Sequence, residues 1–182
     1  MSRDALEVIR TRRVVRAMTD EPVPRDLLER VLDAAAHAPS AGNRRFQRFV
    51  AVDDGATLRV LRMVSPGMLQ RPAAVVVICV DAALAVEYGF RAGSSGLYID
   101  VGTAAQTMLL AAHALGLGSG PVTSFSKAAV SAVLNLPPGW SPELIVCLGR
   151  PAATQPPPMA LGRRRTWRDL THWGRLTTTD GA

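Results

Sequence analysis

The 182-residue chain carries 21 Lys or Arg against 15 Asp or Glu, a formal charge of +6 at pH 7, with 48% apolar residues. That length and apolar share suit one domain with a substantial core and exclude disorder as the default. The charge favours anionic ligands, but the cations are nearly all arginine in short clusters, Lys127 being the one lysine, with no aromatic-interleaved basic sheet, so nucleic acid is not the expected partner.

In chain order, residues 4–10 read as a short amphipathic helix with Ala5, Leu6, Val8 and Ile9 as its apolar set. The next stretch, TRRVVRAMTDEPVP, leaves the helical pattern, and Pro22 and Pro24 mark the break. Residues 26–38 form a second helix with Leu27, Leu28, Val31, Leu32 and Ala35 on one face, ended by the turn-rich sequence APSAGN. Residues 48–52 are expected as a strand and 57–64 as a short helix stopped at Ser65-Pro66-Gly67. The continuous apolar run of residues 73–80, rich in β-branched side chains, fits a strand covered on both faces.

Residues 97–115 read as one long helix, with Leu97, Val101, Ala104, Ala105, Met108, Leu109, Ala112 and Leu115 at helical spacing and Ile99, Leu110 and Ala111 on the opposite side. A helix apolar nearly all round belongs in a core or an interface. Asp100, Gln106 and His113 interrupt it too often for a membrane span. Gly116, Gly118 and Gly120 are read as the loop that ends this helix, and PVTSF as a short extended segment. Residues 127–134 form another helix with Ser126 as N-cap, and residues 142–149 a third strand. A proline-rich tail follows, ending in a basic cluster.

Three strands mixed with helices, without a repeated βα unit, predict an α+β sheet flanked by helices. One domain spans residues 1–182, with no internal repeat, and a tail of about residues 152–182 that needs something to lie against. Cys79 and Cys147 fall inside strand-like runs and are expected as reduced core residues. Metal ligation has no supporting spacing, and no apolar leader precedes a cleavage site, so the expected address is cytoplasmic.

Three groups could carry chemistry. Arg12, Arg13 and Arg16 are either a solvated face or a phosphate site, since guanidinium groups bind phosphate bidentately. A second cluster, Arg163, Arg164 and Arg165, could join them only if the fold or a partner subunit brings both ends together. Asn43, in the turn of residues 39–43, either caps local backbone or presents its amide to a heterocycle edge. GLGSG lacks the strand-before, helix-after context of a dinucleotide fingerprint. No nucleophile-plus-base pattern emerges, so enzymatic chemistry would come from a bound cofactor.

Taken in order, five segments resemble the FMN-dependent nitroreductase family: TRRVVRAMTDEPVP, APSAGN, DVGTAAQTMLLAAHALGLG, PVTSF, and LGRPA with the closing basic cluster. The resemblance covers about residues 7–173. It implies an α+β homodimer with the long helix at the subunit interface, the tail wrapped around the partner, and two FMN sites shared between protomers. It implies an oxidoreductase that passes hydride from NADH or NADPH through flavin N5 to a nitroaromatic, quinone or other small acceptor, with no catalytic side chain required.

By this resemblance Arg12, Arg13, Arg163 and Arg165 match phosphate-binding positions. Arg16 matches the cation near the N1–O2 edge, where positive charge stabilises the reduced ring. Asn43, with Pro39 and Ser40, matches the turn that reads the pyrimidine edge, and Pro121, Val122, Thr123 and Ser124 match the strip beneath the ring. Val14 stands where the family has a serine, removing one polar contact. Asn43-Arg44-Arg45-Phe46-Gln47 departs from the family pattern, and the short linker between Val80 and Ser94 reduces the substrate cover. Within the family, SPGMLQRPAAVVVICVD and GPVTSF are similar to cyclic dipeptide oxidases. That likeness implies an alternative: a flavin-dependent dehydrogenase or flavin-binding subunit that needs a second, small subunit for turnover.

Overall fold

A computed structural model describes residues 4–91, 93–157 and 166–175. Four strands form one antiparallel sheet: β1 (Gln47–Val52), β2 (Ala74–Asp81), β3 (Gly118–Val122) and β4 (Trp140–Gly149), in the order β1-β2-β4-β3. The helices are α1 (Ala5–Thr11), α2 (Arg25–Ala36), α3 (Gly55–Met63), α4 (Ala82–Glu87), α5 (Ser95–Ala114) and α6 (Lys127–Val133), with 3-10 turns at Ala41–Asn43 and Trp167–Leu170.

The apolar run of β2 is explained by two cores, one on each face of the sheet. Ala74, Val76, Ile78 and Val80 pack with α2 and α5, while Val75, Val77 and Cys79 pack with Leu58 and Leu61 of α3 and Val130 of α6. Alternate side chains leave opposite faces of a strand, so a strand clad on both sides is apolar at every position. β4 repeats the pattern, with Val146 and Leu148 on one face and Ile145 and Cys147 on the other. Both cysteines are free and buried. Burial pushes the Cys147 thiol up to about 12, and burial with the nearby Glu143 charge pushes Cys79 up to about 11.

One expectation needs correction. The α+β class holds, but the sheet has four strands, because Gly118–Val122 is β3 and not a helix-ending loop. Glycine-rich sequence hid it, since β-propensity scores side chains and this strand has few. The long helix is buried on one face only. Leu97, Val101, Ala104, Ala105, Met108, Leu109 and Ala112 face the core, while Ile99 is 65% exposed.

Caps match local sequence. Asp54 accepts from the Thr57 amide at 2.8 Å at the start of α3, and Ser126 accepts from the Ala129 amide at α6 as its position predicts. Among the described residues no helix is long and apolar enough to cross a membrane.

Candidate functional site

The site begins where residues 11–19 meet the far end of α5. Thr11 Oγ1 lies 2.9 Å from His113 Nε2. The chain then runs beside β3 and the end of β4. The Val15 amide donates to the Ser119 carbonyl at 3.0 Å, and the Thr19 amide to the Arg150 carbonyl at 2.9 Å. Gly118 permits this approach, because a Cβ there would lie 2.7 Å from Cγ1 of Val15. Gln155 fixes the loop from the other side: its Oε1 accepts from the Arg16 and Ala17 amides at 3.2 and 3.1 Å, and its Nε2 donates to the Ala17 carbonyl at 2.7 Å.

The sequence places Arg12, Val14 and Arg16 beside PVTSF only by resemblance; in the fold Val14 and Val15 of this loop pack on β3. Val14 sits next to Gly120, and so does the buried Gln70, whose Nε2 would lie 2.4 Å from a Cβ at that glycine. Arg13 turns back along α1, donating from Nη1 to the Arg10 and Arg12 carbonyls at 2.9 Å each. There it neutralises a helix C-terminus, a structural use of the charge. The β3–β4 ladder ends at Val122, leaving Thr123 and Ser124 exposed beyond it. That strip is pinned from beneath by the Gly67 amide, which donates to the Ser124 carbonyl at 2.9 Å.

Arg12 Nη1, Gln70 Oε1 and Ser119 Oγ are buried here without a hydrogen-bond partner among the described residues. A buried polar atom left unsatisfied costs about 1–3 kcal/mol, so each is a local cost of this packing. What the structure offers here fits FMN: guanidinium groups on the loop for a phosphate, and the exposed Thr123–Ser124 backbone strip for a flat polar ring.

Pro39, Ser40 and Asn43 lie elsewhere. The Pro39 carbonyl accepts from Thr103 Oγ1 at 2.9 Å, and the Ala41 amide donates to Asp100, all on the first half of α5. Thr103 and His113 are ten residues apart on one helix, which at 1.5 Å per residue is roughly 15 Å. An open cleft of about 380 Å³ lies at the turn, lined by Pro39, Ser40, Ala41, Ile99, Asp100 and Thr103. Phe46 is buried, packed edge-on to Phe90 at 5.1 Å, while the Arg44 guanidinium stacks 4.5 Å over Tyr88. Arg163 and Arg165 lie outside the described residues.

Gln70, Ser119, Gln155 and Asp100 were not singled out from the sequence. Gln70 and Gln155 stand in stretches without periodicity, and nothing local signals them. Asp100 was read as an interruption in an apolar helix; a lone carboxylate in such a run was the available signal.

A four-stranded antiparallel sheet clad by helices on both faces, with a basic loop along a glycine-rich strand, defines an α+β protein with an anion-suited loop at one sheet edge. The nitroreductase family model matches residues 9–85 and 68–150, and the chain belongs to that family. It is 32% identical over 183 residues to a Thermus thermophilus NADH dehydrogenase, covering 82% of this chain and 87% of the relative. It is 30% identical over 185 residues to a Rhodospirillum rubrum 5,6-dimethylbenzimidazole synthase, covering 86% of each. A Methanothermobacter thermautotrophicus relative, provisionally named NADH dehydrogenase/NAD(P)H nitroreductase, is 36% identical over 118 residues, 64% of this chain and 59% of that protein's length. A crystal structure from Bacteroides thetaiotaomicron with the same provisional name superposes with a TM-score of 0.79 at 26% identity, covering 97% of this chain and 100% of that one.

Proposed function

We propose that this oxidoreductase binds FMN in sites shared by two copies of the chain and passes hydride from NADH or NADPH to a small organic acceptor such as a nitroaromatic or quinone. The observation that carries the reading is the arginine-bearing loop held along β3 by the Val15–Ser119 bond and the Val14–Gly120 contact, with the exposed Thr123–Ser124 backbone just beyond. Family membership supports it. The roughly 15 Å along α5 between the two half-sites, together with exposed Ile99 on that helix, supports a second copy that brings one copy's turn to the other's basic loop.

Bound FMN would supply the hydride-accepting chemistry that none of the side chains here provides. Arg12 holds the phosphate, with Arg163 and Arg165 as further cations and Arg13, turned back on the end of α1, adding to the positive field beside it. Arg16 keeps a fixed positive charge where the ring gains electron density. The Thr123 and Ser124 amides donate to the ring edge beside Pro121 and Val122, and Asn43 with Pro39 and Ser40 closes the site from the partner. Val14 leaves one fewer polar contact than a serine would.

The test is reconstitution with FMN followed by addition of NADH or NADPH under argon. A yellow protein whose visible bands bleach, and recover with menadione or a nitroaromatic, is expected; failure to retain flavin overturns the reading. Arg16→Ala should lower flavin affinity or potential. Flavin retained without turnover would favour the alternative of a subunit that needs a small partner. A second reading is favoured by the 30% identity spread over 86% of the dimethylbenzimidazole synthase. It predicts a 5,6-dimethylbenzimidazole product detectable by mass in place of multiple-turnover acceptor reduction.

A further inference from the structure

The turn after α2 visits the left-handed region three times, twice with residues that favour it, Gly42 and Asn43, and once with one that does not, Arg45. Gly42 has φ +57°, Asn43 +55° and Arg45 +53°, so two residues bearing side chains sit in the left-handed region within three positions. Such conformations persist only where neighbours over-determine them, and they gather at ligand clamps. Asn43 bonds its own backbone amide to the Ser40 carbonyl at 2.9 Å, and the Arg45 amide reaches Ser40 Oγ at 3.4 Å. These local bonds do not fix the turn to the rest of the protein.

Two side chains of α5 do. Asp100 is 4% exposed, and both its oxygens face one donor, the Ala41 amide, at 3.0 and 3.1 Å. Three residues along, Thr103 Oγ1 donates to the Pro39 carbonyl at 2.9 Å. The i, i+3 spacing sets both groups on one face of the helix, gripping the turn at either side of Ser40. A buried carboxylate is a costly way to hold one amide, since removing the charge from water is unfavourable unless its hydrogen bonding is complete. Its return is geometric: a charged acceptor makes a stronger, more directional bond than a neutral one. What it holds still is a turn whose tip, Asn43, is exposed.

We infer that Asp100, supported by Thr103, is a positioning residue that locks this turn so that Asn43 meets the flavin. The inference rests on the FMN reading above and adds to it a residue that does not touch the cofactor. Asp100 acts through the Ala41 amide and Thr103 through the Pro39 carbonyl. The flavin-facing effect of both passes through the turn, chiefly through Asn43 at its exposed tip.

The test is a double-mutant cycle on FMN affinity, measured by fluorescence quenching on full-length apoprotein, with circular dichroism and thermal melting as fold checks. Asp100→Ala is expected to weaken FMN binding about 10- to 100-fold, the size of a lost hydrogen bond to a charged group. Asp100→Asn keeps an acceptor for Ala41 and should stay within about threefold of wild type. In the Asn43→Ala background, Asp100→Ala should add almost nothing, because the two act as a unit. Additive losses, or an Asp100→Ala affinity equal to wild type, would overturn the inference. Should Asp100→Ala not fold, Thr103→Val removes the other bond at nearly constant volume and carries the same cycle with the same deciding outcomes. Absence of FMN binding by the wild type would instead overturn the functional reading, so the two failures are distinct.

Discussion

Gly118→Ala examines how the basic loop is held. A Cβ at this position would lie 2.7 Å from Val15 Cγ1, 3.0 Å from its Cβ and 3.1 Å from its Cγ2. The obstacle is a β-branched side chain with one favoured rotamer, so relief requires moving the loop. Overpacking of this kind costs about 1–3 kcal/mol. Replacing glycine also narrows the unfolded ensemble, which returns about 0.4–1 kcal/mol. The clash wins, leaving a net loss of about 1–2 kcal/mol, or a Tm lowered by about 2–8 °C for a chain of this size. Because Val15 donates to Ser119, the displacement carries Arg12, Val14 and Arg16 with it, and FMN affinity should fall in parallel. The assay is differential scanning calorimetry with FMN titration on the single variants and on Gly118→Ala with Val15→Ala. Removing both Val15 methyls should recover much of the loss, a coupling on the order of 1 kcal/mol. An unchanged Tm for Gly118→Ala, or strictly additive effects in the double variant, would refute the claim that the loop packs on β3.

Gln155→Ala removes the acceptor for the Arg16 and Ala17 amides, so both should exchange hydrogen faster in deuterium exchange while β2 amides are unaffected. Cys79 and Cys147, with thiols pushed up to about 11 and about 12, should be inert to DTNB in native protein at pH 8, and both should react after unfolding. The Asp54 carboxyl is held below its ordinary value by the Thr57 amide, so the stability it contributes is complete above about pH 4 and is lost as pH falls through the depressed folded value. Asp54→Asn should therefore lose less stability than wild type on acidification in that window, read by urea titration at a series of pH values.

The helices and the two-faced strand were legible because burial imposes periodicity: β2 is apolar at every position since both of its faces are clad. β3 was not, because its small residues serve close approach by Val15 and Gln70 and leave no side-chain pattern to read. The site was legible in part. Clustered arginines marked this loop as a candidate, either solvated face or phosphate site, but sequence could not show that Arg13 turns back on α1 while Arg12 leaves a buried nitrogen unpartnered. The grip of Asp100 and Thr103 on residues 39–41 spans some sixty residues of chain, and such long-range hydrogen bonds have no signature in local composition. That Pro39, Ser40 and Asn43 stand apart from Arg12 within one chain follows from the path of α5, which spacing in the sequence does not specify.

That separation gives the decisive measurement. Arg12→Ala disables the basic-loop half of each site and Asn43→Ala disables the turn half. In a two-fold dimer with shared sites, a mixed dimer carries one site with both changes and one with neither. Co-expressing the two variants in equal amounts should therefore restore about a quarter of wild-type FMN binding sites, since half the dimers are mixed and each has one intact site of two. FMN stoichiometry on the purified mixture reads this directly. Recovery to that level, at an FMN concentration above the wild-type Kd but well below the weaker Kd of each variant alone, is the predicted result; no recovery in a preparation shown to contain mixed dimers would contradict the shared site.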